Sequence, residues 1–265
     1  MISPWILLGV FIFISYTTET ITGFGSIVIA ISLGALVLPI PEMLPVVVPL
    51  NILNSTYLSI KHRRHIHWPT LLRLILPAMT IGTVVGHFLK PYVGSALLQS
   101  LFGALIVWFS VRELLRLFGH LRTKSTPRAR AVTWSWMGAA GVTHGLYASG
   151  GPLLVYALTG QPLDKSRMRA TLIFVWLFLN SLLTTLYLIQ GTLIQALPRT
   201  AMYLPIALAG MIVGEALHSR IDELQFRKAL FGVLTFTGIA LAIPKTVPPS
   251  ISEPASNSSE IQRTP

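Results

Sequence analysis

Glu19 is the acid set deepest in apolar sequence in this chain, and four residues beyond it the run Gly23-Phe24-Gly25-Ser26 interrupts a hydrophobic stretch covering 5–38. A comparable run, Ser149-Gly150-Gly151-Pro152, follows His144 and interrupts the stretch 132–160. A helix that begins again inside a membrane exposes unpaired backbone N–H groups and the positive end of its dipole. Glycines let a ligand approach that backbone, Ser26 or Ser149 can cap it, and Pro152 suits a first turn where no N–H is needed. Two such ends facing one another would hold an anion without Lys or Arg. The candidate substrate-binding residues are therefore Gly23, Phe24, Gly25, Ser26, Ser149, Gly150, Gly151 and Pro152. Asn54-Ser55 and Asn180-Ser181 extend the set with amides and hydroxyls on neighbouring helices. The other role open to them is bonding between helices, worth about 0.6–2 kcal/mol per contact.

An ionised side chain at mid-membrane costs about 2.5–3.5 kcal/mol on the mildest scale. Glu19 is thus expected to be protonated, paired or facing water. Proton coupling is the expected role; capping or structural pairing is the alternative. His144 lies near the matching place in the second half, one position off register, as its candidate counterpart.

The elements that must position these groups follow from composition. Of 265 residues, 52% are hydrophobic and 11% charged, against about 25% charged in soluble domains; the mean hydropathy is +0.67. Such a chain cannot solvate its apolar surface as a soluble domain, and a nucleic-acid binder would need far more polar surface. Six stretches, near 43–60, 70–89, 95–117, 170–189, 200–217 and 226–243, have the roughly 20 apolar residues that a membrane helix requires. The two interrupted stretches are too long for one crossing and read as arms joined at a break. With no cysteine, disulfides and thiolate chemistry are absent, and the first apolar segment is expected to be retained, since no basic region precedes it.

The halves repeat. Gly25 matches Gly151 and Asn54-Ser55 matches Asn180-Ser181 at an offset of 126. Gly82 and Gly86 match Gly210 and Gly214 at 128, and Leu101-Phe102-Gly103 matches Leu230-Phe231-Gly232 at 129. Ordered matches of this length indicate a duplicated unit. Charge decides its orientation. If each broken element is a hairpin and each half makes three crossings, 16 of the 20 Lys and Arg fall on one face. If each broken element crosses once, the split is 13 against 7. Because cytoplasmic loops carry the basic excess, the first topology is favoured, with inverted repeats and both termini away from the cytoplasm. The expected fold is an all-α polytopic membrane protein with two inverted-topology repeats, each a broken-helix hairpin plus three transmembrane helices. Its parts are a first repeat at 1–122, a basic cytoplasmic linker at 123–131, a second repeat at 132–243 and a disordered polar tail at 244–265.

The two glycine runs, each followed by an apolar arm, and the loop ending His65-Ile66-His67-Trp68 resemble the TauE/SafE family over about residues 5–243. Phe24 and Ser26 stand where many members have glycines, and His67 where they have Asp. The resemblance implies a carrier for sulfite, thiosulfate, sulfoacetate or a related sulfonate in the cytoplasmic (inner) membrane. Helix breaks of this kind in inverted repeats are a transporter design with a midplane site. A carrier of another small anion such as a carboxylate, a channel, and a membrane-embedded enzyme using Glu19 and His144 as acid and base are the alternatives. The expected partners are a small anion, the lipid bilayer and protons, with no nucleic acid; no cofactor or metal is expected. His62, His65 and His67 sit among Lys61, Arg63 and Arg64, which repel a cation, so this run is read as a topology signal. Glu215 and His87 hold equivalent places near helix ends, where interfacial pairing suffices.

Overall fold

The computed structural model describes residues 3–22, 25–121, 129–158, 161, 163–218 and 220–243. Gly23, Phe24, most of the linker and the tail at 244–265 lie outside them. All regular structure among the described residues is helical. In chain order it comprises α1 (Pro4–Thr22), α2 (Ser26–Gly34), α3 (Ile40–His62), α4 (Trp68–Tyr92), α5 (Ser95–Leu117), α6 (Arg130–Tyr147), α7 (Gly151–Ala157), α8 (Lys165–Ile189), α9 (Thr192–His218) and α10 (Glu223–Ala242). Seven of these, α1, α3, α4, α5, α8, α9 and α10, are long and apolar enough to cross a membrane. They comprise the six expected spans and the long arm of the first broken element.

Polar side chains start several helices. Asp164 accepts from the Arg167 amide at 2.8 Å before α8, and Asp222 accepts from the Leu224 amide at 2.9 Å before α10. His67 does the same for α4: its Nδ1 accepts from the Thr70 amide at 3.4 Å. The imidazole thus satisfies an orphan donor as an Asp at that position would. Within α4 the turn Leu71–Ile75 is π-helical. Pro45 and Pro49 lie inside α3, and Thr200 of α9 donates to the Val46 carbonyl at 3.5 Å.

Packing follows the duplication. α1 lies along α9 and α6 along α4, each pair running in the same direction, while α3 packs on α8 and α5 on α10 in opposite directions. Small residues set the close approaches. A side chain on Gly82 would meet the Gly138 carbonyl and one on Gly86 the Val142 carbonyl; on Gly210 and Gly214 it would meet those of Phe13 and Thr17. The offset of 128 carries Gly82 to Gly210 and Gly86 to Gly214. The facing carbonyls are then related by 125: Phe13 to Gly138, and Thr17 to Val142. On this register Glu19 and His144 are direct equivalents, with no slip between them. Gly25 precedes α2 as Gly150 precedes α7, so Gly25 pairs with Gly150 rather than with Gly151. The extra residue that restores 126 at Asn54 falls after the breaks.

α2 folds back on α1, and α7 on α6. Both short arms begin beside the middle of long helices: Asn51, the twelfth of 23 residues in α3, is bonded to Asn180, the sixteenth of 25 in α8, and both lie beside the breaks.

Gly86→Ala is expected to lower the melting temperature in detergent by several degrees, because the methyl would sit on the Val142 carbonyl. Gly232→Ala faces open space and is expected to leave it unchanged or raise it, consistent with the roughly 0.5–1 kcal/mol advantage of Ala over Gly in a helix. Equal melting temperatures for the two variants would contradict the packing described.

Candidate substrate site at the helix breaks

The two breaks meet at a cavity of about 40 Å³. The first half contributes Glu19, Gly25, Ser26, Ile27, Val28 and Asn51, and the second His144, Ala148, Ser149, Gly151, Pro152, Trp176 and Asn180. Among the described residues, no Lys or Arg is in the wall.

Local backbone creates this wall. Gly25 has φ 101°, a left-handed conformation that turns the chain from α1 into α2 and that other residues rarely adopt. The first hydrogen bond of α2 runs from the Ile29 amide to the Gly25 carbonyl, so the amides of Ser26, Ile27 and Val28, all at the cavity, lie ahead of the helical ladder. The second break is built differently. Ala148 takes the left-handed position at φ 51° directly after α6, and α7 has only seven residues. Pro152 at its start has no amide hydrogen to offer.

A buried hydrogen-bond network joins the halves. The Asn54 amide and the Asn51 amide, the latter at 3.3 Å, both donate to Glu19 Oε2. Asn51 Nδ2 also donates to Ser26 Oγ at 2.7 Å. The Asn51 carbonyl oxygen accepts from Ser55 Oγ at 2.8 Å and from Asn180 Nδ2 at 2.7 Å. Asn51 is therefore the junction between the acid, the first break and the second repeat. Glu19 is 4% exposed and His144 0%, so neither meets bulk water. His144 stacks on Trp176 with ring centroids 5.7 Å apart. Neither of its ring nitrogens completes a hydrogen bond, with the Asn180 carboxamide as polar neighbour. Ser149 Oγ and the carbonyl oxygen of Asn180 are likewise buried without a partner. Unsatisfied polar groups gathered at one cavity mark a place where a polar ligand or water completes the structure.

The residues singled out in the sequence divide into three groups. Gly25, Ser26, Ser149, Gly151, Pro152, Asn180, Glu19 and His144 line the cavity. Asn54 and Ser55 stand one layer behind, reaching it through Glu19 and Asn51. Gly150 is a packing residue, since a side chain there would meet the Ala140 carbonyl, and Ser181 bonds back to Leu177 of its own helix at 2.7 Å. Asn51 and Trp176 are cavity residues that matching the repeats overlooks, because their equivalents at 126 are Leu177 and Leu50. The signal for Asn51 was its position one turn before Asn54 and Ser55.

Residues 7–241 match the family described as Sulfite exporter TauE/SafE. The chain is 26% identical over 233 residues to the probable sulfite/organosulfonate exporter TauE of Cupriavidus necator, covering 85% of this chain and 89% of that protein. It is 26% identical over 180 residues to the probable inner membrane transporter protein TsaS of Comamonas testosteroni, covering 67% and 73%. No solved structure matches the chain.

Asn51→Leu leaves Ser26, Ser55 and Asn180 without their shared partner. It is expected to destabilise the protein by about 1–3 kcal/mol, read as a lower melting temperature in detergent. Ser181→Ala should stay within about 0.5 kcal/mol of the parent. Similar effects from both would deny Asn51 its place as the junction.

Proposed function

The chain belongs to the TauE/SafE family of sulfite exporters, and we propose that it carries a small sulfur oxyanion across the cytoplasmic membrane by alternating access at the two breaks. The observation that carries this reading is the make-up of the cavity wall: early amides of α2, carboxamides and hydroxyls, with no cation. An oxyanion with three or four oxygens is solvated by several dispersed donors, as at helix N-termini generally. A cavity of about 40 Å³ has room for two or three waters, taking about 15 Å³ of such space for each. That size favours a compact ion such as sulfite or thiosulfate over a longer sulfonate. The printed name of the Cupriavidus necator relative covers both classes.

Glu19 is the coupling group in this reading. A carboxylate and an anion about 4 Å apart repel by about 4 kcal/mol at an effective dielectric of 20. The anion is therefore held when Glu19 is protonated, and the proton travels with it. His144 is the equivalent residue in the second half. A neutral imidazole offers one N–H to an anion and one lone pair to a proton.

Inverted repeats supply the movement. α3 and α8 are equivalents that pack in opposite directions, as are α5 and α10; this supports a pseudo-twofold axis in the membrane plane. The 16 basic residues on one face support a cytoplasmic assignment for that face. Equivalent positions also make contacts at both ends of the bundle. Lys61 of α3 meets Glu215 of α9 at 3.3 Å. The corresponding Tyr187 of α8 meets His87 of α4, ring centroids 5.4 Å apart, and its hydroxyl accepts from Lys90 at 3.3 Å. Rocking one repeat against the other would open one of these contacts and close the other.

In proteoliposomes, saturable uptake of sulfite and thiosulfate that responds to a pH gradient is the expected result, with simple carboxylates transported at least ten-fold more slowly. Saturable movement of no sulfur anion would overturn the assignment. Glu19→Gln, neutral and still able to accept from both amides, is expected to retain substrate exchange while losing the response to the pH gradient. An unchanged rate and pH profile would remove Glu19 from coupling.

A further inference from the structure

A second cavity, of about 340 Å³, opens between the starts of α4 and α6 and is lined by Pro69, Thr70, Arg73, Leu74, Arg130, Thr133 and Gln161. It is separate from the central site, and its wall brings together two guanidinium groups, two hydroxyls and a carboxamide. Arg73 lies in the π-helical turn Leu71–Ile75, and such turns are frequent at functional sites.

Neither arginine makes an ion pair among the described residues. The acids on either side of Arg130 in the chain are already engaged: Glu113 by Arg112 at 3.1 Å and Arg116 at 2.7 Å, and Asp164 by Arg167 at 3.3 Å. No Asp or Glu occurs at 43–112 or 114–163, the stretches that build the cavity and its surroundings. Two arginines thus line the cavity with no ion-pair partner among the described residues.

The duplicated junction shows that the fold does not require this opening. The starts of α1 and α9 occupy the equivalent place, and there Trp5 corresponds to Arg130 and Ala201 to Arg73. That junction is filled: Arg199 stacks on the Trp5 ring at 4.0 Å, and Tyr203 donates to the Trp5 carbonyl at 2.6 Å. Where one half has a tryptophan plug, the other has an open pair of arginines.

We propose that this cavity binds a phosphate group, and that its source is the head group of an anionic phospholipid. Arginine forks suit phosphate oxygens, and basic pockets between membrane helices are suited to such head groups. Exposed apolar residues flank the cavity on both helices, Leu72 at 55% and Val132 at 44% exposure, where acyl chains would lie. Trp68, at the start of α4 and 45% exposed, and Trp134 on α6 are placed as interfacial residues are at head-group depth.

The test uses the full chain, delipidated in detergent and titrated with phosphatidylglycerol, phosphatidylcholine or inorganic phosphate, with retained lipid counted by native mass spectrometry and melting temperature followed in parallel. Phosphatidylglycerol is expected to raise the melting temperature and remain bound, with phosphatidylcholine ineffective. The double variant Arg73→Gln/Arg130→Gln is expected to need at least ten-fold more phosphatidylglycerol, while Arg220→Gln on the same face behaves as the parent. Should the double variant not accumulate, each single variant is expected to show a smaller shift in the same direction against the same control. Inorganic phosphate acting as strongly as the lipid, and lost in the arginine variants, would overturn the lipid source while keeping the phosphate site. Equal phosphatidylglycerol retention by the parent and the arginine variants would overturn the proposal.

Discussion

A helix interrupted within a bilayer leaves backbone donors where no water can take them, and this requirement governs the rest of the structure. Each unsatisfied group in hydrocarbon costs several kcal/mol, so irregular backbone persists only where other protein or a polar cavity receives it. Here the breaks are set against one another at mid-depth and closed in by α3 and α8. The carboxamides of Asn51, Asn54 and Asn180 are neutral, carry donors and acceptors together, and fix the register between the halves. Through them the buried carboxyl of Glu19 gains hydrogen-bond partners that carry no charge.

Much of this was legible in the sequence because two strong signals coincide. Continuous apolar runs admit only helices, and glycine runs within two of them admit only breaks. Glu19 stood out because a lone acid in such surroundings needs a reason. Other features were hidden for identifiable causes. Asn51 and Trp176 face leucines across the duplication, so comparing the halves passes over them. Gly150 and Gly151 are adjacent and chemically alike; the carbonyl of Ala140 pressing on one of them is a tertiary fact. The pairing of Glu19 with His144 appeared one residue out because the halves differ in length after the breaks, and only the glycine contacts along α1 and α6 fix the local register.

The glycines of α4 and α9 also explain how the repeats hold their shape. They bring helices within contact of each other's carbonyls, a fit in which even a methyl group has no room. Because the long helices α4 and α9 belong to opposite halves from the arms they support, each repeat is scaffolded by the other. In the proposed transport cycle, a rigid contact that crosses between repeats in this way would let a broken element move as part of a body instead of flexing alone.

The divergence of the two halves bears on the energetics of the resting molecule. Identical repeats would make the inward-facing and outward-facing forms mirror states of equal free energy, populated evenly. In this chain an acid answers an imidazole across the axis, and an ion pair at one end answers an aromatic cluster at the other. On the alternating-access reading proposed above, the two forms would differ in free energy even without ligand or gradient, and a difference of 1.4 kcal/mol would already make one form about ten times as abundant as the other. In the proposed cycle a bias of that size would keep the unloaded protein mainly on one side, and the apparent affinity measured from the other side would be weakened by the fraction that must first turn over.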